Sequence, residues 1–275
     1  MANPYATDHV DVGELRLYVE QYGDPDGPAT PLLLHGGLFD IELQFGALLP
    51  GLSAGRRVIA VEFQGHGHTN DLDRPFSSAA FAGDVLGVLD HLGLNCVDVF
   101  GFSVGGAVAL ELAVRRPERV RRLIASSVSF RASGMRGSEN AQAVGEMKVE
   151  MIAGTPMEAA YLAKSPHPDH EHLQGLLDKL GATYAGGFPD WADDDIRGIA
   201  APTLITVGRR RHGQPRPRRG VPAVARRRRE RRLRRAARLA TGRLSGHVTL
   251  HGHRPNRPGD RRRGAVPRRV VFACE

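Results

Sequence analysis

Cysteine is almost missing: the 275 residues hold two, Cys96 and Cys274. That excludes a disulfide framework and a metal site built on clustered thiolates. Cys96 reads as a small apolar strand residue. No apolar run approaches the roughly 20 residues that a transmembrane helix requires. Residues 1–7 carry neither the basic stretch nor the apolar stretch of a secretory signal. A reduced, cytoplasmic setting without a membrane partner is the expectation. Gly101–Gly106 lacks both the lysine of a phosphate-binding loop and the glycine spacing of a dinucleotide fingerprint, so no cofactor is expected.

Lysine is missing from one part of the chain only. Residues 209–275 hold 23 arginines, no lysine and 3 acids, whereas residues 1–208 hold 15 basic and 27 acidic residues. The formal charge of +8 thus averages an acidic segment (15 − 27 = −12) with a very basic one (23 − 3 = +20). The two need separate explanations.

The acidic part alternates strand and helix signals. Leu15–Glu20 alternates apolar with polar residues, as a half-buried antiparallel strand does. Short apolar runs at 32–34, 58–61, 96–100, 120–125 and 203–207 have the length of buried strands. Between them, 77–92 places Phe81, Val85, Val88, Leu89 and Leu92 at helical spacing with Gly93 beyond as a stop, and 103–114 is a second helix ended by Pro117. Buried strands alternating with helices predict an α/β fold, a mostly parallel sheet with helices on both faces. From 130 to 199 the rhythm changes to amphipathic helical stretches (141–152, 156–163, 171–180) and polar turns, which predicts a helical cap inserted into a core of 1–129 and 200–208. Asp193-Asp194-Asp195 reads as the acidic start of a helix. His167, His170 and His172 lie in a polar turn, without the cysteine or spacing that would favour zinc.

Gly101-Phe102-Ser103-Val104-Gly105 stands between a buried strand and a helix. A serine on so tight a turn takes strained backbone angles and tolerates only small neighbours. The turn lifts its hydroxyl above the sheet at a helix N-terminus. An ordinary helix N-cap serine is the plainer alternative, but the flanking glycines and preceding strand speak against it. The Val104 N–H then faces any oxyanion that develops at the substrate. A second N–H is expected from the loop after the first parallel strand, His35-Gly36-Gly37-Leu38, with Gly37 as donor and Leu38 as the next choice. His35, Gly36, Leu38, Gln64 and Phe102 are the expected pocket-lining residues. His35, His66 and His68 read as loop-shaping groups, not as proton carriers.

Four features in this order resemble the α/β-hydrolase superfamily: the His-Gly-Gly loop at 35–37, Gly-His-Gly at 65–67, the nucleophile elbow at 101–105, and Ala201-Pro202-Thr203-Leu204-Ile205 opening a late strand. The resemblance covers residues up to about 208. It implies a hydrolase acting on a small ester-like molecule through Ser103, without a cofactor; perhydrolase or haloperoxidase-like chemistry would use the same residues. It also implies an acid after the strand 203–207 and a histidine near the end of the chain, in the order serine, acid, histidine.

Neither is where the resemblance puts it. Gly208 is followed by Arg209-Arg210-Arg211-His212, and the next acid is Glu230 inside an arginine run. A guanidinium cluster has the wrong sign to orient an imidazolium. Ser245-Gly246-His247 is the text nearest to a histidine loop, which makes His247 the candidate base. Arg226–Arg238 offers no apolar face, so 209–275 is expected to stay solvated or disordered, with the last strands and helices of the fold missing. Such a segment could engage nucleic acid or an acidic partner through charge, leaving a catalytically silent body; its one aromatic, Phe272, gives no base-stacking platform. A reading-frame slip is the more economical account. Gly-Asp-Ala-Asp, written GGC GAC GCC GAC, reads Arg-Arg-Arg one frame out. The same offset lets 245–250 encode Pro-Gly-Thr-Ser-His-Phe, lets 264–269 encode Glu-Pro-Phe-Leu-Asp-Ala, and lets Val270 hide a stop codon. On that account the catalytic acid and base have been overwritten and turnover is impaired.

Overall fold

The computed structural model describes residues 2–27, 30–131, 146–185, 190–207 and, as backbone, 271–274. All lie in one compact unit, Met1–Arg209 with Arg268–Glu275. His247, expected as the base, and nearly all of the arginine-rich segment lie outside the described residues.

The strands are β1 (Ala6–Val12), β2 (Leu15–Gly23), β3 (Pro31–Leu34), β4 (Arg57–Val61), β5 (Val97–Phe102), β6 (Val120–Ser126), β7 (Thr203–Val207) and β8 (Val271–Cys274). They form one sheet in the order β1-β2-β4-β3-β5-β6-β7-β8. The β1–β2 and β2–β4 pairs are antiparallel, and every other pair is parallel. The half-buried strand expected at 15–20 is β2, whose Leu15, Leu17 and Val19 face inward.

The pleat explains why the central strands read as continuous apolar runs: both faces are covered. Leu32 and Leu34 of β3, with Ile59 and Val61 of β4, join one core together with helices α3 (Ser78–His91) and α4 (Val104–Arg115). Leu33, Val58 and Ala60 join the opposite core with the short helices α1 (Ile41–Phe45) and α2 (Leu49–Leu52). Towards β6 and β7 this second face opens into a cavity of about 450 Å³, whose walls include Leu33, Leu52, Phe100, Ile124 and Leu204. Helix α3 starts on the Ser77 hydroxyl, which accepts from the Ala80 N–H at 3.0 Å, and stops before Gly93 at φ +67°.

Between β6 and β7 run α5 (Val149–Ile152), α6 (Pro156–Lys164), α7 (His170–Ala185) and α8 (Asp193–Gly198). Asp193, Asp194 and Asp195 fill the first turn of α8, where its N-terminal N–H groups favour negative charge. Of the stretch expected to be helical at 141–152, only 149–152 is helix among the described residues. Two sequence expectations need correction. Cys96 is not in a strand: it sits in the bend before β5 and is exposed, because β5 begins at Val97, where side chains turn into the core. Helix α7 runs past the expected end at Leu180 to Ala185. At the edge of the sheet Val271–Cys274, a run without charge, pairs in parallel with β7 from Leu204↔Val271 to Val207↔Cys274.

Candidate active site

The chain leaves β3 towards β4 on one side and leaves β5 towards β6 on the other. The carboxyl ends of β3 and β5 therefore border a crevice where connections diverge, the usual place for a ligand in an open parallel sheet. His35–Leu38 follows β3 there, and Ser103 follows β5.

Ser103 has φ 52° and ψ −111°, a combination that few residues other than glycine adopt. Such strain costs about 1–3 kcal/mol and persists only when neighbours over-determine it. They do. The Ser103 N–H donates to the Ser126 carbonyl at 2.8 Å, and the Gly105 N–H donates to the His35 carbonyl at 3.0 Å. A Cβ at Gly101 would run into the Gly105 carbonyl, and one at Gly105 into the carbonyls of Leu34 and His35. A Cβ on Gly106 would stand 3.1 Å from the Ser126 carbonyl oxygen. The glycines are thus fixed by backbone approaching backbone.

The His35–Leu38 loop meets this turn. A Cβ on Gly36 would lie 3.5 Å from the Ser103 Cβ and 3.1 Å from Phe102, and one on Gly37 would lie 3.4 Å from Val104. Gly36, Gly37, Phe102, Ser103 and Val104 are therefore neighbours. Val104 opens α4, so its N–H has no partner one turn earlier in the helix. Leu38 is held at φ 64°.

The histidines near the crevice have other work. His35 is wholly buried; its Nδ1–H donates to the Gly36 carbonyl at 2.7 Å, and its Nε2 accepts from the Phe63 N–H at 3.0 Å. It clamps the ends of β3 and β4 together. Burial, and next the nearby His66, push its pKa down to about 3. His66, also buried, donates from Nδ1 to the Gln64 carbonyl at 2.9 Å and is pushed down by burial to about 4. Gln64 is buried too, its amide donating to Asp71 at 2.6 Å and accepting from Arg74 at 2.5 Å, so its side chain braces the 71–74 loop. His68 lies against the buried Glu62 at 3.0 Å, and this hydrogen bond raises its pKa. His170 pairs with Glu158 and His172 with Asp169. Among the described residues no three His, Cys, Asp or Glu side chains are grouped to hold a metal, and no helix is long and apolar enough to cross a membrane. Leu38 lines a narrow cleft with Asp40, His66 and residues of α5, α6 and α7.

One residue at the site was not anticipated. The Tyr184 hydroxyl on α7 is 3.4 Å from Ser103 Oγ. The signal was present: Leu173, Leu176, Leu177 and Leu180 form the buried stripe of α7, and Tyr184 continues it one turn on. Leu180 itself covers the glycine loop, 3.0 Å from where a Gly37 Cβ would be.

Parts of the chain are similar to known proteins. A 70-residue segment is 47% identical to 2-hydroxymuconate semialdehyde hydrolase of Pseudomonas putida, covering 25% of each chain. A 109-residue segment is 37% identical to pimeloyl-[acyl-carrier protein] methyl ester esterase of Neisseria meningitidis, covering 40% of each. The chain thus spans well under half the length of these curated relatives. The solved structure of the enol-lactonase from Burkholderia xenovorans matches the fold with a TM-score of 0.53 at 22% identity, over 73% of this chain and 80% of the other. The alpha/beta hydrolase fold family matches residues 30–267, a range that continues past Gly208 and takes in His247. With that match over most of its length, the chain belongs to the alpha/beta hydrolase fold family.

Proposed function

We propose that the protein is a serine hydrolase of small ester-like substrates, impaired in the chain as written. The observation that carries this reading is Ser103, held in strained geometry at the crevice beside Gly36 and Gly37. Its Oγ attacks the acyl carbon, and the carbonyl oxygen becomes an oxyanion facing the N–H groups of Gly37 and Val104. One such donor contributes about 3–4 kcal/mol to the transition state. The hydroxyl proton must pass to a base, for which His247 is the candidate, and a carboxylate must orient that base. The cap, residues 130–199, would select the substrate. The hydrolase and esterase names of the relatives support the class of reaction without fixing the substrate.

The impairment follows from residues 208–212, where arginines stand in place of the acid. A Ser103 without its full relay should acylate once and turn over slowly. With a short-chain p-nitrophenyl ester, the expected result is near-stoichiometric nitrophenol release, with the acyl group on Ser103 by mass spectrometry and none on Ser103→Ala. Release and labelling unaffected by Ser103→Ala would remove this serine from the mechanism.

A further inference from the structure

The narrow cleft at His66, the apolar cavity beside β6 and β7, and the contact between Tyr184 and Ser103 are the features that the proposed chemistry has not absorbed; the last points to a role. Resting on the serine-hydrolase reading, we propose that the Tyr184 hydroxyl donates a hydrogen bond to the leaving-group oxygen of the substrate, which suits the site to oxygen esters of unactivated alcohols.

Leu180 and Tyr184 are one turn apart on α7, so both present to the same surface. Leu180 rests on Gly37 and Tyr184 reaches Ser103 Oγ at 3.4 Å. The helix therefore brings one polar group to the reacting oxygen beside the oxyanion loop. A tetrahedral adduct on Ser103 carries two further oxygens. One, the oxyanion, faces Gly37 and Val104. The other is the departing alkoxy oxygen, and Tyr184 approaches Oγ from the helix that overlies the glycine loop. Burial raises the pKa of the phenol, which keeps it protonated and able to donate throughout the neutral range. No net proton transfer to or from Tyr184 is required: the bond to the alkoxy group breaks, that oxygen takes the proton that the base removed from Ser103, and the phenol keeps its own. An activated leaving group such as nitrophenolate needs no such donor; an alkoxide does.

The test uses the full chain and an alkylboronic acid, whose boron bonds to a serine oxygen and carries two hydroxyls in the positions of the oxyanion and the leaving group. It reports on these contacts without requiring turnover. Wild type should bind the boronate as a tetrahedral adduct by boron NMR, and Ser103→Ala should not. Tyr184→Phe, which keeps the ring, should weaken binding about tenfold or more, the loss expected for a hydrogen bond to a charged group. A singly hydroxylated borinic acid, which lacks the leaving-group oxygen, should bind wild type and Tyr184→Phe alike. If wild type forms no adduct, or Ser103→Ala binds equally, the hydrolase reading fails and this proposal with it. If the adduct forms on Ser103 but Tyr184→Phe leaves boronate affinity unchanged, or weakens boronate and borinate equally, Tyr184 alone loses the assigned role.

Discussion

Residue identity decides most at the crevice. Gly101, Gly105 and Ser103 could be picked out of the sequence because the sterics of a tight strand-to-helix turn leave few alternatives, and the structure places them at such a turn. His35 and Gln64 were expected to line a pocket, and they are buried in clamps instead. Spacing cannot reveal which way a loop side chain turns. Their burial has a measurable consequence. An unfolded histidine titrates near 6.5, whereas burial pushes His35 down to about 3 and His66 down to about 4 in the folded chain. Between these values the unfolded chain binds more protons, so stability is retained above pH 6.5 and falls as the pH drops towards 4. Each histidine contributes a slope of at most about 1.4 kcal/mol per pH unit. Urea midpoints between pH 7 and 4.5 should fall in wild type and fall less steeply in His35→Gln. Equal slopes would mean that His35 is not held neutral.

Elements were legible where hydrophobic period and caps agreed. The apolar spacing over 77–92 and the Gly93 stop bracketed α3 from the sequence, and the structure adds the Ser77 cap at its start. The end of α7 was missed because the stripe passes from leucines to the half-polar Tyr184, which continues the line without reading as apolar. The docking of α4 with the segment leading into α8 was not legible either, since it includes a long-range polar pair: the Trp191 indole N–H donates to the Glu111 carboxylate at 2.9 Å, both side chains buried. Glu111→Ala would leave that N–H without its acceptor, at a cost of about 1–3 kcal/mol. Because the chain has a single tryptophan, its emission reports on this joint directly. A lower urea midpoint with altered native emission is expected; an unchanged midpoint would show that the pair contributes nothing to stability.

For the whole molecule, the charge division at Gly208 was the most informative feature of the sequence, and it marks where family resemblance and residue chemistry part. The frame-slip account makes a strong prediction. Restoring the frame at codon 208, so that Gly-Asp-Ala-Asp follows β7, should raise ester turnover by on the order of 10⁴ or more, because the relay acts as a unit. Replacing Ser103 in the restored protein should remove that gain. Independent reads of the coding DNA that give the present frame intact, or a restored protein no faster than this one, would count against the slip. By that account β8, which follows the hidden stop at Val270, is a strand that the ancestral frame never encoded.

Ser103 sits on an elbow whose close backbone contacts only glycine allows. Its glycines are excluded from change by collisions with main-chain atoms, which every variant of the fold must keep, whereas the serine side chain projects away from them. The position behaves as a socket: its geometry is inherited with the sheet, and the reactive group mounted in it is exchangeable. Chemistry at this crevice can therefore diverge through the mounted group and the helices above it, while the glycines around it stand still.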